Sequence, residues 1–72
     1  MIKIYTIKLA NEKTVRYELI KFCELNKISV YITFMQEDIF TDVLFCDLVI
    51  PEAVEDRFKV KYSKAIIHTE NV

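Results

Sequence analysis

The 72-residue chain contains no glycine, one proline and two cysteines, and its formal net charge is −1. This length fits a single domain, 1–72, without a linker, and the 53% of apolar residues argues against a disordered chain. Because glycine is absent, neither a P-loop nor a GxGxxG motif can be present, so we expect no nucleotide-dependent catalysis and no cofactor.

The first half of the chain predicts a strand, a helix and a second strand. Residues 2–9 are rich in β-branched residues and roughly alternate in polarity, which is typical of a strand. From Glu12 to Asn26 the apolar residues recur at helical spacing and form one stripe, which predicts an amphipathic helix. Residues 28–35 are again rich in β-branched and aromatic residues and predict the second strand.

The second half predicts a third strand, a short helix and a fourth strand. Residues 42–50 are apolar almost without a break, which indicates a strand covered on both faces or a face used for association. Pro51, followed by acidic residues, favours a short helix over 51–57. Because the polarity then alternates strictly, we predict a strand over 58–69, although three apolar residues also recur at helical spacing (Val54, Phe58 and Tyr62).

The predicted order of elements is β-α-β-β-(short α)-β, which indicates an α+β fold. A four-stranded antiparallel sheet with one main helix on one face accommodates this order with short connections. This is the small ferredoxin-like sandwich, in which strands 1 and 3 are central. The comparison is one of fold alone, because the chain carries no family motif.

One face of the predicted sheet is left without a covering layer. Alternation along the third strand places Phe45, Asp47 and Val49 on the face away from the helices. An apolar face of this kind is usually buried against a partner, with aromatic residues as anchors. We therefore predict a partner-binding face with six members: Tyr5, Tyr31, Met35, Phe45, Asp47 and Val49.

The charges are segregated along the chain. Seven acidic residues and no lysine or arginine lie between residues 36 and 56, whereas both flanking segments are basic. The acidic residues around the turn between strands 2 and 3 are interpreted first as a solvated edge of the sheet. Because segregated charge orients partners, the alternative is a docking edge for a basic partner. The predicted edge consists of Glu37, Asp38 and Asp42.

The cysteines, the histidine and the basic residues near the end of the chain are expected to have structural roles. Cys23 and Cys46 are expected to be small buried hydrophobic residues, and with a single histidine their spacing matches no zinc site, so no metal is predicted. His68 is expected to be a partly exposed strand residue without a nucleophile beside it. Three basic residues would share one face of the fourth strand and protect it against edge pairing (Arg57, Lys59 and Lys61).

These features favour a small protein-binding module over an enzyme. We expect a cytoplasmic regulator, adaptor or inhibitor, of a kind found in phages and mobile elements, that forms a homodimer and docks on another protein such as a host or cellular enzyme. No membrane segment is expected, because the longest apolar run is far short of a span. The alternative is a small RNA-binding protein, which the aspartate on the third strand and the absence of glycine disfavour, or a metal-dependent nuclease of ferredoxin-like dimer type with Asp47 or neighbouring acids around a magnesium ion.

Overall fold

A computed structural model describes residues 2–36 and 42–71 of the chain as an α+β fold. Its four strands form one antiparallel sheet in the order β2-β3-β1-β4, so the first and third strands are central, as predicted. The elements in chain order are β1 (Ile2–Ala10), α1 (Lys13–Leu25), β2 (Ser29–Gln36), β3 (Asp42–Pro51), α2 (Glu52–Tyr62), a 3₁₀ turn (Ser63–Ala65) and β4 (Ile66–Asn71).

Both helices cover the same face of the sheet. Alternate residues of β3 point towards them and are fully buried, and they form one core cluster with the apolar stripes of the two helices. The helices contribute Leu19, Cys23, Val54, Phe58 and Tyr62, and the central strands contribute Tyr5, Ile7, Leu44, Cys46, Leu48 and Ile50. The described core is thus a single layer between the sheet and the helices.

The second helix is longer than predicted, and the prediction that the last strand begins at residue 58 is wrong, although the strand itself is present. Helix α2 continues to Tyr62, and the last strand begins only at Ile66. The helical period prevails because Val54, Phe58 and Tyr62 all enter the core, whereas Val60, which completes the alternating pattern, is 88% exposed. Burial of three large side chains outweighs a local alternation that leaves Val60 in water.

The three basic residues expected to protect the last strand lie on α2 instead. Lys59 pairs with Glu55 one helical turn earlier, at 3.0 Å between Nζ and Oε1. Lys61 places its ammonium group over the rings of Phe22 and Tyr62, 5.5 and 5.8 Å from their centroids. Together with Arg57 they belong to a helix, so the prediction of an edge-strand guard is wrong.

One carboxylate ties α2 to the first strand. Glu55 accepts hydrogen bonds from the Tyr5 hydroxyl at 2.8 Å and from the Lys3 ammonium group at 3.0 Å, in addition to its pair with Lys59. The hydrogen bond from Tyr5, followed by those from the two lysines, lowers the pKa of Glu55 to about 2. These bonds fix the position of the helix over β1.

We expect Glu55→Gln to lower the urea midpoint of unfolding at neutral pH, because the amide keeps the shape of the side chain but loses its charge. The folded pKa lies below the ordinary value of 4.5, so this contribution is present above about pH 4.5 and is lost as the pH falls towards 2. The difference between wild type and variant should therefore shrink over that range in urea titrations.

The control for this prediction is Asp56→Asn, which removes a charge from an exposed residue on the same helix. Its urea midpoint should stay close to that of the wild type throughout. A gap between wild type and Glu55→Gln that is as wide at pH 2 as at pH 7 would contradict the assigned charge interaction.

Candidate functional site

The sheet face opposite the helices, here called the open face, carries side chains from all four strands. The strand register aligns them in rows across the sheet. One row runs through Tyr31, Asp47, Thr6 and His68, and the next contains Thr33, Phe45 and Lys8. The other described residues of the open face include Ile4, Ser29, Met35, Val43, Val49 and Glu70.

Five of the six residues predicted for the partner-binding face lie on the open face. Tyr31 is 71% exposed and Met35 is 53% exposed, although both are large and apolar in character. Phe45 and Val49 are half-buried between neighbouring strands, and Asp47 is exposed. The structure therefore brings together aromatic, aliphatic and acidic side chains on one surface.

The prediction that Tyr5 lies on the open face is wrong. Tyr5 is 2% exposed and lies beneath α2, with its ring centroid 4.9 Å from that of Phe58. Strand β1 has apolar residues on both of its faces, so alternation alone does not reveal which face enters the core. The register decides the question, because Tyr5 lies opposite the core residue Leu48.

A polar pair occupies the centre of the open face. The Thr6 hydroxyl donates a hydrogen bond of 2.6 Å to Oδ1 of Asp47. Tyr31 lies beside Asp47 on the edge strand β2, and His68 lies beside Thr6 on β4. Sequence analysis missed Thr6, because nothing short of the strand register connects residues 6 and 47.

The positively charged side chain of Lys8 lies near the ring of Phe45. The ammonium group of Lys8 lies 6.0 Å from the ring centroid, within range of a cation–π contact. The charged residues of the described open face are Lys8, Asp47 and Glu70. This surface is therefore apolar with mixed charge and has no basic groove.

The acidic residues between positions 36 and 56 do not form one surface. Asp42 is exposed at the start of β3, Asp47 lies on the open face, and Glu52, Glu55 and Asp56 lie on α2. Glu37 and Asp38, predicted as part of the docking edge, lie outside the described residues. The docking edge stays a prediction.

The two cysteines are buried and free, as the sequence indicates. Burial raises the pKa of Cys23 to about 11, and burial together with nearby Cys23 and Asp47 raises that of Cys46 to about 12. A nucleophilic or metal-binding cysteine needs an accessible thiolate at neutral pH, so neither side chain suits that chemistry.

The remaining side chains within residues 2–36 and 42–71 form no cluster suited to a metal ion. In these segments no group of three or more His, Cys, Asp or Glu side chains is placed to hold a metal ion. A groove of about 450 Å³ between the helices is lined by Val15, Glu18, Val60 and Lys61 among others, and Glu18 is the sole carboxylate among the described residues that line it. Acid–base catalysis by paired carboxylates therefore has no basis there.

Comparison with known proteins adds no relative. No family model, no curated protein and no solved structure matches the chain. Neither of the described helices is long and apolar enough to cross a membrane.

Proposed function

We propose that the protein is a non-catalytic binding module that docks another protein on its open face. The observation that supports this proposal is the exposure of Tyr31 and Met35 beside Phe45 on a surface that no described element covers. Burying a side chain of this size contributes about 1.5–3 kcal/mol, and aromatic residues often anchor interfaces. The role would be that of a regulator, adaptor or inhibitor in the cytoplasm.

The side chains of the open face indicate which complementary groups the partner's surface should carry. Asp47 already accepts one hydrogen bond from Thr6, and its remaining lone pairs point to a donor or a basic group on the partner. Around it the partner would present apolar side chains to Tyr31, Phe45 and Val49. An apolar contact with one charge-assisted hydrogen bond combines affinity with orientation.

The strand order supports a finer description of the fold. The order β2-β3-β1-β4 with both helices on one face fits the ferredoxin-like arrangement expected from the sequence. This assignment is proposed on topology alone. It does not favour one function over another, because such folds carry many unrelated activities.

A second candidate function is RNA binding or metal-dependent cleavage. The exposed ring of Tyr31 and the half-buried ring of Phe45 on a four-stranded sheet favour it, since such rings can stack unpaired bases. The charges of the described open face, two acids and one lysine, oppose RNA binding, because the acids would repel the phosphates. Cleavage would need a metal ion, and within residues 2–36 and 42–71 no group of three or more His, Cys, Asp or Glu side chains is placed to hold one. Protein docking is therefore the better-supported proposal.

Site-specific photocrosslinking tests the proposal. A photoreactive amino acid at position 31 or 45 of the full chain should give the same protein adduct, distinct from a self-adduct, in cells of the source. The matched control places it at Val60, which is 88% exposed on the opposite side of the molecule and should give no such adduct. Excess wild-type protein should abolish the adduct, whereas excess Phe45→Glu should not.

The alternative is tested with purified protein and single-stranded RNA. Salt-dependent binding in the micromolar range, or magnesium-dependent cleavage that Asp47→Asn abolishes, would overturn the docking proposal. Equal adducts at positions 31, 45 and 60, or none at 31 and 45, would also contradict it.

A further inference from the structure

The two edges of the sheet differ in their protection against pairing. Strand β2 has no charged residue and no proline, and its register with β3 is unbroken over its whole length. It also exposes Phe34, at 57%, in addition to the exposed Tyr31 and Met35. A long, regular and uncharged edge of this kind is a template for another strand.

The other edge of the sheet, strand β4, has features that discourage pairing and that β2 lacks. Strand β4 shifts its register against β1, so that Ile67 is left without a partner residue in a bulge. It also bears Glu70 and His68. Bulges and charged side chains discourage edge pairing, so the contrast singles out β2 as the edge open to association.

The backbone direction along β2 follows from one hydrogen bond. The Asn11 N–H donates to the Asp42 carbonyl at 3.2 Å, so the even-numbered residues of β3 from Asp42 onwards direct their backbone groups towards β1. The odd-numbered ones then pair with β2. In β2 this leaves alternate residues with outward N–H and C=O groups: Val30, Ile32 and Phe34.

We propose that a second copy of this chain pairs with β2 in antiparallel fashion, which joins two sheets into a continuous one. A two-fold axis perpendicular to the sheet keeps the helices of both copies on the same face. With the axis at Thr33, the outward-facing Ile32 of one copy exchanges backbone hydrogen bonds with Phe34 of the other. The same register places Tyr31 of one copy opposite Met35 of the other on the open face.

A second copy suits this edge for two reasons. The strand is uncharged, so two identical strands do not repel one another. Each exposed apolar side chain of β2 also obtains an apolar neighbour, Tyr31 with Met35 and Phe34 with Ile32.

The strength of this dimer follows from its size. Stable interfaces involve roughly 20–30 residues on each side, whereas one strand pair involves far fewer. The expected dissociation constant is therefore micromolar. This proposal does not depend on the open face as a docking surface, because its main contacts are the outward backbone groups and Phe34, which points to the helix side.

Sedimentation equilibrium of the full chain tests the proposal. The wild type should pass from monomer to dimer between low and high micromolar concentrations, and Phe34→Lys should raise the dissociation constant at least tenfold. The matched control is Ile67→Lys, the same kind of change on the other edge at a residue that is 55% exposed, and it should leave the constant unchanged. Circular dichroism checks that both variants fold.

Cysteine crosslinking tests the register. In Thr33→Cys the two introduced thiols face each other across the axis with Cα atoms about 4.5 Å apart, within the range of a disulfide. Mild oxidation should therefore give a covalent dimer, whereas Tyr31→Cys, whose partner residue is Met35, should not.

A monomer at every concentration overturns the proposal, as does a dimer that Phe34→Lys leaves intact or a Thr33→Cys protein that stays uncrosslinked under conditions where the wild type dimerises. Phe45→Glu separates the two proposals. It should abolish the partner adduct and leave the edge dimer intact, and Phe34→Lys should do the reverse.

Discussion

Phe58→Ala is expected to unfold a large fraction of the protein at room temperature. The Phe58 side chain is fully buried, and its ring centroid lies 4.9 Å from that of Tyr5 and 5.7 Å from that of Tyr62. Truncating a buried phenylalanine costs about 3–5 kcal/mol, because the transfer energy is lost and a cavity is left. A core of this size rarely supplies more than about 3–5 kcal/mol in total.

Circular dichroism during urea titration measures this loss. Tyr17→Ala is the matched control, because it removes an aromatic ring from the other helix at a site that is 63% exposed. Its midpoint should differ little from that of the wild type. A cost below about 1 kcal/mol for Phe58→Ala would mean that α2 does not pack on the sheet through this residue.

Val60→Pro is expected to destabilise the protein by about 3 kcal/mol, the cost of proline in a helix interior. Proline has no N–H to donate to the carbonyl four residues earlier, and its ring clashes with that carbonyl. Since Val60 is 88% exposed, the substitution removes almost no packing, so the effect reports on the backbone alone.

Val60→Ala is the companion variant, and its expected effect on stability is opposite to that of Val60→Pro. Alanine is the better helix former, so in α2 this change should leave the urea midpoint unchanged or raise it. In a strand the preference reverses, because β-branched residues favour strands. A drop in stability for Val60→Ala, together with tolerance of Val60→Pro, would contradict the helix and support the strand that alternation predicts over this segment.

This segment shows what periodicity in one sequence can and cannot decide. Residues 58–62 satisfy both the helical and the alternating pattern, and the choice depends on which side chains find a core to enter. That core is built by β1 and β3. Strand β1 lies far from α2 along the chain, and the packing of α2 back onto β3 is a tertiary contact, so local patterns show neither. The long apolar run of β3 carried no such ambiguity, and its central position was predicted correctly.

The surface was predictable where one strand face is clearly more apolar than the other. Strand β3 meets this condition, so Phe45, Asp47 and Val49 could be placed on the face away from the helices. Strand β1 does not, and Tyr5 was misplaced for that reason. Pairs that join elements distant in sequence, such as Thr6 with Asp47 and Tyr5 with Glu55, depend on register and packing, which a single sequence does not display.

The central position of β1 has a consequence for synthesis. Its two neighbours in the sheet, β3 and β4, are both made long after it, since Tyr5 lies opposite Leu48 on one side and Thr69 on the other. On the ribosome the first strand must therefore wait, with its apolar side chains unpaired, until residues as far as Thr69 have emerged. Such long-range pairing slows folding and lengthens the time during which a nascent chain depends on chaperones.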